Sequence, residues 1–130
     1  MGLDNGIVYK GERRSNLGWL ARRVLPFYRI DEEGELTICY WRKCWNVRDA
    51  IMSNLNSVRV GERTVLQISD LYVIRCLILN FLLHPKDWNN STWTYKEIRL
   101  HLVRQIIALS LLIKWMKRDA SCFVYFYDSF

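Results

Sequence analysis

The segment Asp70 to Leu83, DLYVIRCLILNFLL, is apolar on almost every side of a helix, and a helix of that kind has to lie buried between other elements. It is too short to cross a membrane and is interrupted by Arg75. Ser69 is the expected N-cap, and His84 with Pro85 the expected stop. Arg75, the exception on this helix, is expected to run its stem along the surface and put its charge in water or, less commonly, to pair with a carboxylate.

A second long helix follows. Thr94 and Glu97 form a capping box, and Trp93 and Ile98 stand at the positions of a hydrophobic staple. The predicted helix runs to about Lys117, with Ile98, Leu102, Ile106, Leu109, Ile113 and Met116 as its buried stripe. Its Arg99, His101, Arg104 and Lys114 argue against a membrane span. His101 beside the core stripe reads as a packed histidine.

Ser121 to Phe130 alternates as a closing strand, and Gly6 to Tyr9 reads as an opening one. Ser15 to Val24, which holds Gly18 and is stopped by Pro26, reads as a short helix or an irregular loop, and Asp31 to Glu35 as an acidic surface turn. Arg63 to Ser69 reads as a further short strand or as an extended entry into the helix that follows. No repeat or linker divides the chain. Residues 1–130 therefore read as one α+β domain, a short, mostly antiparallel sheet packed on two long C-terminal helices and one or two shorter ones.

Glu35 to Leu55, ELTICYWRKCWNVRDAIMSNL, is the candidate functional stretch. Leu36, Ile38 and Tyr40 alternate with Thr37, Cys39 and Trp41 as in a half-buried strand. Asn46 is the expected N-cap of a helix that buries Val47, Ala50, Ile51 and Leu55. Arg42 and Lys43 then sit just before the positive end of that helix. Two readings stand: Tyr40 packs inward, Trp41 covers a neighbouring helix and Arg42 and Lys43 are solvated, or Trp41 or Trp45 offers a flat face while Arg42, Lys43 and the amides of Val47 and Arg48 receive an anion. The candidate ligand-binding residues are Tyr40, Trp41, Arg42, Lys43, Trp45, Asn46 and Arg48.

Composition is compatible with such a site. The net charge is +6 and 14% of residues are aromatic, which favours acidic partners and exposed rings. The cations are scattered in small groups and do not form the long patch of a dedicated duplex binder. Four cysteines, Cys39, Cys44, Cys76 and Cys122, show no metal or redox spacing, and the cytoplasm is the expected compartment. Metal-ligand and phosphate-cradle motifs are missing, so no cofactor is expected. Catalysis would have to draw on His84, His101 or a Cys44 thiolate at a helix start, parts that form no constellation.

MGLD at residues 1 to 4, YWRK at 40 to 43 leading into NVRDAI, and a terminal YFYDSF together resemble a family of small proteins common in bacteriophage and prophage genomes. Its members begin MGLD, carry YWRK before a hydrophobic helix, and end in aromatic residues followed by serines and tryptophan. This chain has Arg48 or Asp49 where that pattern places a histidine, and Asp128, Ser129 and Phe130 in place of the closing Ser-Ser-Trp. The resemblance implies a phage or prophage setting and, by association, antagonism of a host defence.

The reading from sequence is a non-enzymatic accessory protein that binds a nucleotide-like anion or nucleic acid at the strand-to-helix edge. The alternative is a protein-interaction module that docks on an acidic host protein and inhibits it; a small hydrolase is the lesser one. No membrane partner is expected, and a homo-oligomer is compatible with either reading.

Overall fold

The computed structural model describes residues 4–11, 35–42, 44–84, 94–118 and 122–129. The helix expected from Ser15 to Val24, most of the acidic turn, Lys43, the side chain of Arg42 and the Trp93 half of the staple lie outside the described residues. The elements are β1 (Asp4–Lys10), β2 (Leu36–Arg42), α1 (Trp45–Asn54), β3 (Arg63–Val65), α2 (Ile68–Leu83), α3 (Tyr95–Arg118) and β4 (Phe123–Ser129). They form the expected α+β arrangement, with one antiparallel sheet of order β2-β1-β4-β3.

The two ends of the chain make the centre of that sheet. β1 and β4 pair in register from Asp4 with Ser129 to Lys10 with Phe123. One face carries Ile7, Tyr9, Val124 and Phe126, all fully buried, and Trp41 on the same face donates its indole Nε1 hydrogen to Gln105 Oε1 of α3 at 2.8 Å. That bond identifies the face that meets the helices. β3 is short, but Leu66 N to Val124 O (2.8 Å) and Asp128 N to Glu62 O (3.2 Å) extend its pairing at both ends.

Strict alternation in β2 fails at one point. The register with β1 slips between Ile7 and Val8, so that Ile7 faces Cys39 while Val8 faces Thr37, and Ile38 is the extra residue of a bulge. Cys39 and Trp41 therefore share the helix-facing side with Leu36 across the bulge, and Tyr40 turns the other way. There its hydroxyl donates to Asp4 Oδ1 at 2.9 Å.

On that opposite face the Tyr127 ring lies over Gly6. A Cβ at Gly6 would stand 2.6 Å from Tyr127 Cε1. The small residue is needed for close approach, with the tyrosine covering the backbone that glycine leaves bare. Glu35 is another departure, since it is buried and receives Arg63 Nη1 at 3.2 Å instead of sitting in a solvated turn.

Helix ends follow local chemistry. The capping box before α3 forms as expected, with Thr94 N donating to Glu97 Oε2 (2.9 Å) and Glu97 N to Thr94 Oγ1 (3.3 Å). α2 starts one residue before Ser69: Gln67 is its N-cap and shares a capping box with Asp70. In α3 the expected stripe holds at Ile98, Leu102, Leu109 and Ile113, with Ile106 and Met116 partly buried, and is widened by His101, Gln105, Ala108 and Leu112.

α2 is the main correction. Leu71, Ile74, Ile78 and Phe81 are buried, but Tyr72, Cys76, Leu79 and Leu83 are exposed. The described elements supply one sheet and one neighbouring long helix, enough to cover one side of α2 and leave the other open. Arg75 neither reaches plainly into water nor meets a carboxylate; it donates to Ser110 Oγ of α3 at 3.0 Å.

Gly6→Ala should force the Tyr127 ring off its seat and destabilise the fold by about 1–3 kcal/mol, the usual cost of overpacking. Chemical denaturation measures this as a lowered midpoint, and a paired Tyr127→Ala change should recover part of the loss.

Candidate functional site

The anchors named from sequence converge at one end of the sheet. Asp4 stands opposite Arg42, Asn5 opposite Trp41 and Gly6 opposite Tyr40, while Asn5 also faces Asp128 on the other flank. The start of β1, the end of β2, the end of β4 and the first turn of α1 thus share one corner.

At its centre is the Asp128 carboxylate, buried with no side-chain exposure. Oδ1 accepts from Asn5 Nδ2 (2.7 Å) and Arg48 Nε (2.8 Å), and Oδ2 from Arg48 Nη2 (3.0 Å) and the Gly61 amide (2.9 Å). The two-pronged geometry suits a guanidinium and would not suit lysine. Gly61 has φ of +75°, a conformation that lets its amide point at the carboxylate and that a Cβ would penalise. Burial pushes the Asp128 carboxyl up, but the hydrogen bonds from Arg48, Gly61 and Asn5 outweigh it and hold the group below its ordinary range.

A second buried polar chain adjoins it. Gln105 accepts from Trp41 through Oε1 and donates through Nε2 to His101 Nε2, which makes that ring nitrogen the acceptor. Burial, aided by the charge of Arg104, lowers the His101 pKa to about 4. His101 is therefore neutral near pH 7.

The candidate ligand-binding residues fare unequally. Trp41 is only 1% exposed and cannot offer a face to a ligand, because it lies on the helix side of the bulged strand. Asn46 is not the N-cap: Cys44 occupies that position, without a side-chain capping bond, and α1 begins at Trp45. The Arg48 amide is already used within the helix, donating to Cys44 O at 3.1 Å. The Arg48 guanidinium is committed to Asp128, with a further contact to Asp49 at 3.4 Å. Tyr40 is half-buried against Asp4. Trp45, 46% exposed, retains an open ring, with the Arg48 guanidinium 5.5 Å from its centroid.

Of the groups considered for catalysis, Cys44 and His101 are buried, while His84 is the exposed C-cap of α2. Cys44 is buried at the head of α1, and burial drives the Cys39 thiol far above its usual range. Asp4 and Asp128 do come close as the termini pair, but on opposite faces of the sheet, and among the described residues no group of three or more His, Cys, Asp or Glu could hold a metal. No helix among the described residues is long and apolar enough to cross a membrane.

A different surface stands out, one whose α2 half sequence reasoning assigned to the core. On α2 Tyr72, Cys76, Leu79 and Leu83 recur at steps of four, three and four, all exposed. On α3 Leu100, Val103 and Ile107 do the same. The helices run antiparallel, since Tyr72 meets Lys117 and Arg75 meets Ser110, so Leu79 and Leu83 lie alongside Ile107 and Val103. Leu83 is 68% exposed and Leu100 52%. The signal was present as the 3-4 spacing of a second apolar stripe. What periodicity lacked was a count of the layers available to cover it.

Comparison of the chain with protein families, with curated proteins and with solved structures yields no match.

Removing the carboxylate with Asp128→Ala leaves Arg48 half-buried without its partner, and should cost about 3 kcal/mol. Arg48→Ala should cost a similar amount and the double variant less than the sum of the two. Denaturation midpoints of the three proteins give the comparison.

Acid should also act through His101. Its folded pKa is depressed, so the unfolded chain binds more protons between about pH 6.5 and about pH 4, and stability falls as pH drops through that window. Asp128, with its lowered pKa, acts in the same direction at more acid pH. His101→Leu should flatten the slope of unfolding free energy against pH above about pH 4 without removing the loss below it.

Proposed function

We propose that the protein is a non-enzymatic interaction module that uses the outer face of α2 and α3 to dock on another protein. The observation that carries this reading is the exposed double stripe Tyr72, Cys76, Leu79 and Leu83 beside Leu100, Val103 and Ile107. Single exposed apolar side chains are ordinary on a protein surface, but a contiguous patch on two packed helices marks a place where another surface belongs. Antiparallel helices leave a shallow channel between their ridges, which is the shape that takes a third helix.

The alternative site, an anion cradle at the strand-to-helix edge, keeps fewer of its parts. Its exposed ring is Trp45, its described cation is Arg48, and that cation already has a buried carboxylate bound at two points. An incoming phosphate would have to compete with Asp128 for it. In the setting that the resemblance implies, a phage or prophage genome, the docking reading corresponds to a small protein that occupies a host protein's helix-binding surface and blocks it.

A photo-crosslinking amino acid placed at Leu79 or Ile107 tests this in cells of the producing bacterium. A discrete adduct, the same from both positions and missing from Val60 on the α1–β3 turn, is the expected result. A diffuse pattern equal at all three positions overturns the docking reading.

A further inference from the structure

We infer that Tyr72, Arg75, Lys114 and Lys117 form a binding site for a phosphate monoester, where the first half of α2 lies beside the C-terminal half of α3. The site is independent of whatever covers the apolar stripe. Its cations are held in place by neutral oxygens and not by carboxylates, so their positions are fixed while their charge stays uncompensated.

Arg75 reaches across from α2 and donates from Nη1 to Ser110 Oγ at 3.0 Å, and Ser110 in turn donates to Ile106 O at 2.8 Å. The serine hydroxyl thus serves to fix the arginine. Lys117 reaches the other way, from α3, and donates from Nζ to the Tyr72 hydroxyl at 2.8 Å. Both cations stand near one ring, the Arg75 guanidinium 4.9 Å and the Lys117 ammonium 5.4 Å from its centroid. Lys114 is exposed one helical turn from Ser110 and from Lys117, which puts it on the same side of α3.

The acids of these two helices are engaged at the helix starts. Asp70 Oδ2 accepts from the Gln67 amide at 2.8 Å, and Glu97 Oε2 from the Thr94 amide at 2.9 Å. Among the described residues the ion pairs are made by Arg48 and Arg63, and none by Arg75, Lys114 or Lys117. Like charges held together without a counter-ion repel, and an arriving anion relieves that repulsion. The ring already feels this field: the Tyr72 phenol pKa is lowered, chiefly by the hydrogen bond from Lys117 and further by the charges of Lys117 and Arg75.

The donors left over suit a tetrahedral oxyanion. Arg75 keeps its Nε and Nη2 hydrogens, the two ammonium groups keep theirs, and the Tyr72 oxygen, which accepts from Lys117, still has its own hydrogen to give. A planar guanidinium can take two phosphate oxygens at once. Three positive charges match the dianion of a monoester better than the single charge of a carboxylate or a phosphodiester. Lys96 and Arg99, exposed at the other end of α3, have no hydroxyl or ring among the described residues to hold them.

The test titrates the isotope-labelled full chain with phenyl phosphate and with benzoate at constant ionic strength, following backbone amide shifts by NMR. Phenyl phosphate should shift the amides around Arg75 and Ser110 saturably and bind about tenfold more tightly than benzoate. Lys114→Gln/Lys117→Gln should weaken it about tenfold and Tyr72→Phe about threefold. Lys96→Gln/Arg99→Gln removes the same charge from the other end of the helix and should leave binding unchanged. All these positions are exposed, and the dispersion of each spectrum reports directly that the variant is folded. Competition by inorganic phosphate, by a phosphoserine peptide and by phosphatidic acid vesicles then identifies the carrier of the group, and displacement by any one of them supports the site.

Equal weakening in the Lys96→Gln/Arg99→Gln protein overturns the site and leaves only a general positive field along α3. Benzoate bound as tightly as phenyl phosphate overturns the monoester. Absence of a saturable shift at Arg75 and Ser110 overturns the site outright, whatever crosslinking from Leu79 and Ile107 reveals about docking.

Discussion

The Asp128 carboxylate joins four parts of the chain that are remote in sequence: Asn5 of β1, Arg48 of α1, Gly61 in the turn before β3, and its own strand at the C-terminal end. Taking a carboxylate and a guanidinium out of water is expensive, and their attraction offsets that cost only when every lone pair has a donor. Here both oxygens have two. The arrangement tolerates little slippage, because moving β4 by one residue against β1 would turn Asp128 to the opposite face and bring Ser129 or Tyr127 to the corner. Its contribution is therefore as much to register as to stability.

Around that corner the sheet is assembled from the two ends of the chain. Among the described residues β1 and β4 are central, β2 and β3 are the edges, and α1, α2 and α3 lie in the sequence between β2 and β4. The central pairing joins Asp4–Lys10 to Phe123–Ser129, so the sheet depends on contacts between segments far apart in the sequence. Long closures of this kind cost chain entropy before they return any stabilisation. Gly6 under the Tyr127 ring and Trp41 against Gln105 lock the two faces of that sheet once it has formed.

The polarity of the helical layer follows from the same geometry. α3 covers one side of α2, and the face that remains open carries residues as apolar as those inside. The described elements make two layers, and residues that a third layer would bury are left on the surface. Lys117 and Arg118 suit the negative end of α3, so their position has a local reason.

Much of the architecture could be read from residues close together in the chain. The Thr94 and Glu97 cap, the stripe of α3 and the alternation of β4 all act within a turn of helix or between neighbouring residues, and all three formed as expected. The candidate site was less legible. Tyr40, Trp41, Trp45 and Arg48 are chemically suited to an anion, but a bulge at Ile38 decides which ring is sealed, and Asp128, eighty residues from Arg48, decides whether that cation is free. Glu35 turned inward for a similar reason, since its partner is Arg63 on the far edge of the sheet.

By itself, then, the amino-acid sequence determined the types of element, most of their limits and the α+β class, because periodicity and capping are local free energies that do not need the rest of the molecule. Which apolar face of α2 stays bare, which indole is buried and which arginine is already occupied were decided only in three dimensions. Each depends on what a distant segment brings alongside, and the composition of a helix or strand cannot state how many neighbours it will find.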